Sequence, residues 1–371
     1  MTDPYGESKE AKMDDIVSII VTGEILIHDR IVENALRADG SYDFNFVFDQ
    51  LREEIAGADI RMANTEVIIG GKELGISGYP RFNLPYELAD AIANAGFNVT
   101  LQASNHSLDR DGEGIRNCVN YWRRHHPNVR VVGIYDNKED ADRICCLRHN
   151  GIKIAILNYT QGTNEIGIPE DMPWCINLMS EDKVKKDIEE AKRRADFVIV
   201  CPHWGTEYSL SEDEYQKKWA RMMAEWGADL IIGTHPHVFE PVVWIKDTLC
   251  AYSLGTFVNW TAAVSPEDEG VANRVIGTML KAQLQRDKTT QRVKLISFEL
   301  VPVVVHLSEE KQGVTVYRFS DYTEELAEKN AIIKQDEAFS IDYCKNLFCK
   351  VFGEKAAFLY NAPARRISRS G

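Results

Sequence analysis

The 371-residue chain has no apolar run near the roughly 20 residues that a membrane-spanning helix needs. Its opening, MTDPYGESKEAKMDD, lacks the basic stretch and apolar centre of a secretory signal. As it stands the chain is expected in the cytoplasm; with a leader or anchor removed, it is expected at the membrane or outside it. There is no C-x-x-C pair among the eight cysteines, nor the density of a disulfide scaffold. Cys145, Cys146, Cys201 and Cys250 fall inside apolar runs and read as reduced packing residues. Basic residues are also in deficit: 43 Lys and Arg against 57 Asp and Glu leave a formal net charge of −14. That balance excludes a broad nucleic-acid-binding face. A phosphate or carboxylate substrate therefore needs a local cation such as bound metal to receive it.

What is present is enough apolar material for a substantial core, 44% of residues against 27% charged. Short strand-like runs at 16–27, 60–63, 98–103, 129–134, 152–158, 197–201, 230–233 and 249–254 alternate with amphipathic segments. A helix is predicted over 85–95, with Pro85 at its first turn and Gly96 ending it. Another over 180–195 carries its charges on a solvated face. A third is predicted behind an S-x-x-E capping box at Ser211 and Glu214, burying Trp219, Met222, Met223 and Trp226 before Gly227. Strand, helix, strand is the order of a layered α/β domain. From 272 to 319 the pattern turns β-rich, as an antiparallel sheet completing the same domain would. With no internal repeat or low-complexity linker, the predicted organisation is a flexible segment at 1–14, one domain over 15–320, and a helical extension with a basic tail over 321–371.

Five polar clusters follow five of the strand-like runs. They are Glu24 in VTGEI, Asn64 and Glu66 in ANTE, and Asn105, His106 and Asp109 in SNHSLD. His203, Glu207 and Tyr208 follow in PHWGTEY, and His235 and His237 in GTHPH. In open α/β sheets the carboxyl ends of strands form the ligand crevice. A lone histidine in such a place reads most readily as a hydrogen-bonded core residue. Five clusters in matching positions read instead as a metal site, and their mixed N/O donors suit Mn, Fe or Zn better than Ca or Mg. His125 and His126 read as exposed residues at a helix end, His149 and His306 have no polar cluster around them, and His28 is left undecided. Cys201 reads as packed and inert. The segments GGKELGISGYPRF and YSLGTF read as loops at the rim, without the context of a nucleotide-binding fingerprint.

In these motifs the sequence resembles the bacterial capsule-synthesis family of the poly-γ-glutamate (CapA) type, a branch related to the calcineurin-like metallophosphoesterases. The shared elements are GE at 23–24, NTE at 64–66, SNHSLD at 104–109, HWGTEY at 203–208, GADLIIGTHPH at 227–237 and YSLGTF at 252–257. The resemblance implies a four-layer α/β/β/α sandwich of the metallophosphatase-like type with two divalent ions at the sheet ends. By position, Glu66 would bridge them, Glu24 and His237 would favour one, and Asn105, His203 and His235 the other. His106 would protonate a leaving group or steady a transferred phosphoryl oxygen, with Asp109 beside it as a second catalytic residue. Asn64, Glu207, Tyr208 and Ser253 would contact substrate. The family usually has Asp at Glu24, and Asn at Ser104 and Thr256. The extra methylene of Glu24 moves its carboxylate by about one bond length, enough to alter metal spacing or occupancy.

Two functions are compatible with this reading. One is a metal-dependent hydrolase acting on an anionic small molecule or polymer, a phosphoester or poly-γ-glutamate. The other is a non-catalytic accessory of capsule synthesis that binds such a polymer in the same pocket.

Overall fold

The computed structural model describes residues 16–260, 270–310 and 313–353. The predicted flexible segment at 1–14 and the basic tail lie outside the described residues. In chain order the strands are β1 (Ile16–Ile25), β2 (Ile60–Thr65), β3 (Val99–Leu101), β4 (Arg130–Val132), β5 (Cys145–His149), β6 (Ile152–Thr160) and β7 (Phe197–His203). They continue with β8 (Leu230–Ile232), β9 (Val242–Ile245), β10 (Thr248–Ala251), β11 (Thr256–Val258), β12 (Ile276–Arg286), β13 (Val293–Leu307) and β14 (Val314–Arg318). One sheet runs β14-β13-β12-β1-β2-β3-β4, with β11 also paired to β1; the other runs β5-β6-β7-β8-β10-β9.

Strands β1 to β4 are parallel to one another, as are β6, β7, β8 and β10. A parallel strand covered on both faces has no solvent side, which is why these segments read as continuous apolar runs. Val17, Ile19, Val21, Met62 and Leu101 of the first sheet pack against Ile154, Ile156, Ile199 and Ile232 of the second. On the far side of the second sheet, Leu157, Val198 and Val200 meet Val184, Ile188, Trp219 and Met223 of the helices Glu181–Arg194 and Glu214–Trp226. On the far side of the first, Ile20 and Ala63 lie in the cluster that holds Leu88, Ile92, Ile115 and Trp122 of the helices Glu87–Asn94 and Asp111–His125. The result is the four-layer α/β/β/α sandwich that the motifs imply.

The β-rich region pairs β12 antiparallel to β1, and β13 and β14 continue outward from it. The helix Ile341–Phe352 of the C-terminal extension packs into the first outer layer, with Phe348 stacked 5.1 Å from Phe239.

The fold corrects three local expectations. The helix at Glu214 is capped by Asp213, whose Oδ1 accepts the Gln216 amide at 2.8 Å while Gln216 Oε1 accepts the Asp213 amide at 2.9 Å. The box is thus D-x-x-Q, two residues after the predicted S-x-x-E, and a carboxylate is also the better partner for the helix dipole. The YSLGTF segment is not a rim loop: residues 252–257 are buried, and β11 pairs with β1 behind Glu24. His126 is half-buried, with Nε2 bonded to Asp90 Oδ1 at 2.6 Å, because the helix end turns it back toward the neighbouring helix.

Candidate metal centre

The carboxyl ends of both parallel runs open on the same side, and hydrogen bonds cross between the sheets there. Asn64 at the end of β2 donates to Thr234 beyond β8, and Asn158 of β6 accepts the Ala103 amide at 2.7 Å.

Glu24 is placed by a close approach. A Cβ on Gly23 would stand 1.9 Å from the Gly255 carbonyl oxygen, so only glycine lets β1 come near enough for the Glu24 amide to donate to that oxygen at 2.9 Å. The buried Glu24 side chain then reaches the 235–237 turn. Its Oε1 accepts the His235 amide at 2.6 Å and its Oε2 accepts His237 Nδ1–H at 2.9 Å. Both histidines hold left-handed backbone, φ 106° and 60°, a conformation that is costly away from glycine and here turns two imidazoles into one space.

Glu66 lies at the centre. It is 0% exposed, yet neither carboxylate oxygen has a hydrogen-bond partner. Oε1 is 3.7 Å from His203 Nε2 and Oε2 is 3.7 Å from His237 Nδ1. Two sets of donor atoms result, Glu66 with His203 and His235, and Glu24 with Glu66 and His237, each lying within 4.8 Å. Asn105 joins the first through Oδ1, 2.9 Å from His203 Nε2, and His203 Nδ1 meets Thr234 Oγ1 at 3.2 Å. Buried His235 Nδ1 has no partner. A buried acceptor left without a donor costs free energy, so Glu66 and His235 are built to be satisfied by something else. Divalent cations fit this donor set.

The electrostatics agree. Burial, followed by repulsion from the other histidines, holds His203 well below the usual imidazole range and His235 down at about 3. Both rings are therefore neutral and able to donate lone pairs. Burial and the neighbouring carboxylates of Glu24, Glu207 and Asp109 raise Glu66 despite the opposing charge of His237. Burial works against a charged His237, but Glu66 and Glu24 outweigh it and raise the ring. A proton on His237 thus supplies the positive charge that two buried carboxylates require.

Beside this cluster is a cavity of about 840 Å³ lined by Asn105, His106, Asp109, Glu207, Tyr208 and His237, among others. His106 Nδ1–H donates to Asp109 Oδ2 at 2.7 Å, leaving Nε2 as the nitrogen not engaged by Asp109. Tyr208, φ 65°, lies 5.8 Å from the His237 ring, with the Arg274 guanidinium 3.8 Å from its own ring centre. The predicted residues thus converge on the buried cluster and the cavity beside it, while the two expected to contact substrate that do not line the cavity are Asn64 and Ser253. Asn64 is turned to Thr234, and buried Ser253 donates to the Val238 carbonyl at 2.8 Å and accepts the Gly255 amide at 3.0 Å. Cys201 is buried between the sheets, and that burial pushes its thiol far up.

The cavity also uses residues the sequence reading passed over. His28, left undecided, lines it, with burial first and His237 and His106 next lowering its pKa to about 3. Asn164, Glu165 and Ile166 enter from the loop after β6, a sixth strand end that the same carboxyl-end rule would have marked. Tyr79, Pro80, Arg81 and Phe82 come from the glycine-rich segment expected at the rim.

The model of the family described as bacterial capsule synthesis protein PGA_cap matches residues 18–261. PGA biosynthesis protein CapA of Bacillus subtilis (strain 168) is 27% identical over 297 residues, covering 79% of this chain and 73% of that protein. Capsule biosynthesis protein CapA of Bacillus anthracis is 28% identical over 257 residues, covering 66% of this chain and 61% of that protein. Among solved structures, a 5'-nucleotidase precursor from Thermus thermophilus aligns with a TM-score of 0.40 at 12% identity, covering 78% of this chain and 54% of that one. The chain belongs to the bacterial capsule synthesis family PGA_cap.

Proposed function

We propose that the chain is a divalent-metal-dependent hydrolase of anionic substrates, a phosphoester or a glutamyl polymer, serving capsule synthesis. The observation that carries the reading is Glu66, fully buried with both oxygens unpartnered between His203 and His237. Glu66 would be shared by two ions, with Glu24 and His237 completing one ligand set and His203, His235 and Asn105 the other. Bound there, Mn, Fe or Zn supplies positive charge for an anionic substrate and acidifies water.

The chain's own residues do the rest. His106, held by Asp109, offers Nε2 to protonate the departing oxygen. Leu26, Phe82 and Ile166 line the cavity with apolar surface, which excludes water and strengthens the electrostatics inside. Glu207 and Tyr208 flank the space where substrate would lie.

A second reading, a non-catalytic binding protein of capsule synthesis, is favoured by Glu24. Both of its oxygens are already bonded within the turn, which weakens it as a ligand. Elemental analysis of protein purified without chelator, paired with turnover of p-nitrophenyl phosphate and a γ-glutamyl peptide, separates the two. About two ions per chain with metal-dependent turnover is the expected result. Loaded protein that turns over neither compound moves the assignment to binding, and protein that takes up no Mn, Fe or Zn overturns the metal centre.

A further inference from the structure

The cavity mouth holds one cation with no part in the reading above. Arg81 is the only Lys or Arg among the described residues that line it. Its backbone is pinned on both sides. The Arg81 carbonyl accepts Ser77 Oγ–H at 2.6 Å, and the next amide, Phe82 N–H, donates to Asp109 Oδ2 at 2.6 Å. Asn83 follows with three bonds to the preceding loop, accepting Gly70 N–H at 2.9 Å and donating to the Gly71 and Gly75 carbonyls at 2.8 Å each.

The side chain is held far less firmly. It is 50% exposed, and its ion pair with Asp111, itself 71% exposed, spans 3.5 Å. A pair that loose in water is worth little, so an incoming anion displaces it at small cost. The root of Arg81 is therefore fixed while its guanidinium is available at the mouth.

The surrounding charge gives this placement its meaning. Asp109, Glu165 and Glu207 line the same cavity, so a ligand with a single anionic group gains one attractive contact, at bound ions or at Arg81, against repulsion from the walls. A ligand with a second anionic group gains a planar, two-pronged donor at the mouth. We propose that Arg81 is a specificity-determining residue that binds a second carboxylate or phosphate of a polyanionic ligand whose first anionic group lies at the metal centre. This rests on the proposed metal centre for the position of the first group.

Titration calorimetry on the metal-loaded full chain tests it, using inorganic phosphate, tripolyphosphate and a γ-linked tetraglutamate as probes. Arg81→Ala should weaken one or both polyanions about tenfold, the loss of one charge-assisted hydrogen bond, while phosphate changes by less than about twofold. Arg81→Lys should fall between, since it keeps the charge and loses the fork. The polyanion that responds identifies the group, carboxylate or phosphate. Equal losses for all three probes, no loss for any, or no polyanion binding by the wild type would overturn the proposal. A wild type that takes up no ions, but whose polyanion binding still depends on Arg81, would overturn the metal centre and leave the role of Arg81 standing.

Discussion

His106 Nδ1 lies 2.7 Å from Oδ2 of Asp109, and both side chains are buried. The same oxygen accepts the Phe82 amide at 2.6 Å, so one carboxylate ties the imidazole to the loop that forms the cavity rim. Phe82 in turn sets its ring edge-on to His106, with centroids 4.7 Å apart. The ring is thereby held in one orientation before any substrate arrives, which is what a proton donor in a preorganised site requires.

Replacing His106 by Ala should lower turnover of p-nitrophenyl phosphate about 100-fold or more, with metal content unchanged, if as proposed the residue donates a proton and holds no ion. Asp109→Asn keeps an oxygen for Phe82 and His106 but removes the charge. It should cost roughly tenfold, as loss of an orienting partner does, and displace the pH profile of kcat. Elemental analysis beside the rate measurements checks both; a wild-type rate and profile in Asp109→Asn would deny that residue its positioning role.

The corrected helix cap is testable through stability. Asp213→Ala removes the acceptor for the Gln216 amide and should cost about 1 kcal/mol. Ser211, outside the helix, accepts Ser209 Oγ–H at its carbonyl, and Ser211→Ala should leave stability within about 0.5 kcal/mol. Urea denaturation of the two variants distinguishes them, and the reverse order would restore the S-x-x-E box.

Glu240 introduces a pH dependence of its own. Its side chain is 0% exposed and Oε2 accepts Gln216 Nε2–H at 2.7 Å, while Oε1 has no partner. Burial raises its pKa from 4.5 to about 8, against the pull of Gln216. A raised carboxyl binds its proton more tightly in the folded chain. Its contribution is therefore fully present below pH 4.5, falls as pH rises through about 8, and is a constant penalty above that. Glu240→Gln keeps the acceptor for Gln216 and removes the ionisation. It should stabilise the protein by about 4 kcal/mol more at pH 8.5 than at pH 4.5, read from denaturation at both values. An equal effect at the two pH values would show that Glu240 ionises freely in the fold.

The central residues of the site are legible in the sequence because a parallel strand covered on both faces reads as an apolar run. The polar residues at or just past its carboxyl end must then lie in the crevice. Glu24, Glu66, His203, His235 and His237 all follow from that rule. Less visible are residues that enter from loops. Asn164 and Glu165 follow a strand end that the same rule marks, but they turn through left-handed backbone, φ 49° and 62°, which leaves no periodic trace of which residues face the cavity. His28 follows β1 by three residues, where nothing distinguishes a cavity wall from a surface turn. Short strands escape detection for a related reason. Val242–Ile245 lies at a sheet edge without clear alternation, and Thr256–Val258 follows a glycine turn that reads as loop. The capping box is legible in kind but reads two residues early, since S-x-x-E and D-x-x-Q overlap between 211 and 216.

The shared position of Glu66 makes the metal reading quantitative. If one carboxylate serves two ions, Glu66→Gln should empty both positions, whereas His203→Ala and His237→Ala should each lose about one of the roughly two ions expected per chain. Stability should follow occupancy, because the ions offset the cost of burying a carboxylate whose oxygens have no donor. At ion concentrations near 100 times Kd the stabilisation is about 2.7 kcal/mol, so EDTA should lower the Tm of the wild type and leave Glu66→Gln unmoved. Glu66→Gln should also be more stable than chelated wild type, since its amide removes a buried charge that no cation then balances. A wild-type Tm indifferent to both EDTA and added Mn, Fe or Zn would mean that the proton on His237 already satisfies the cluster.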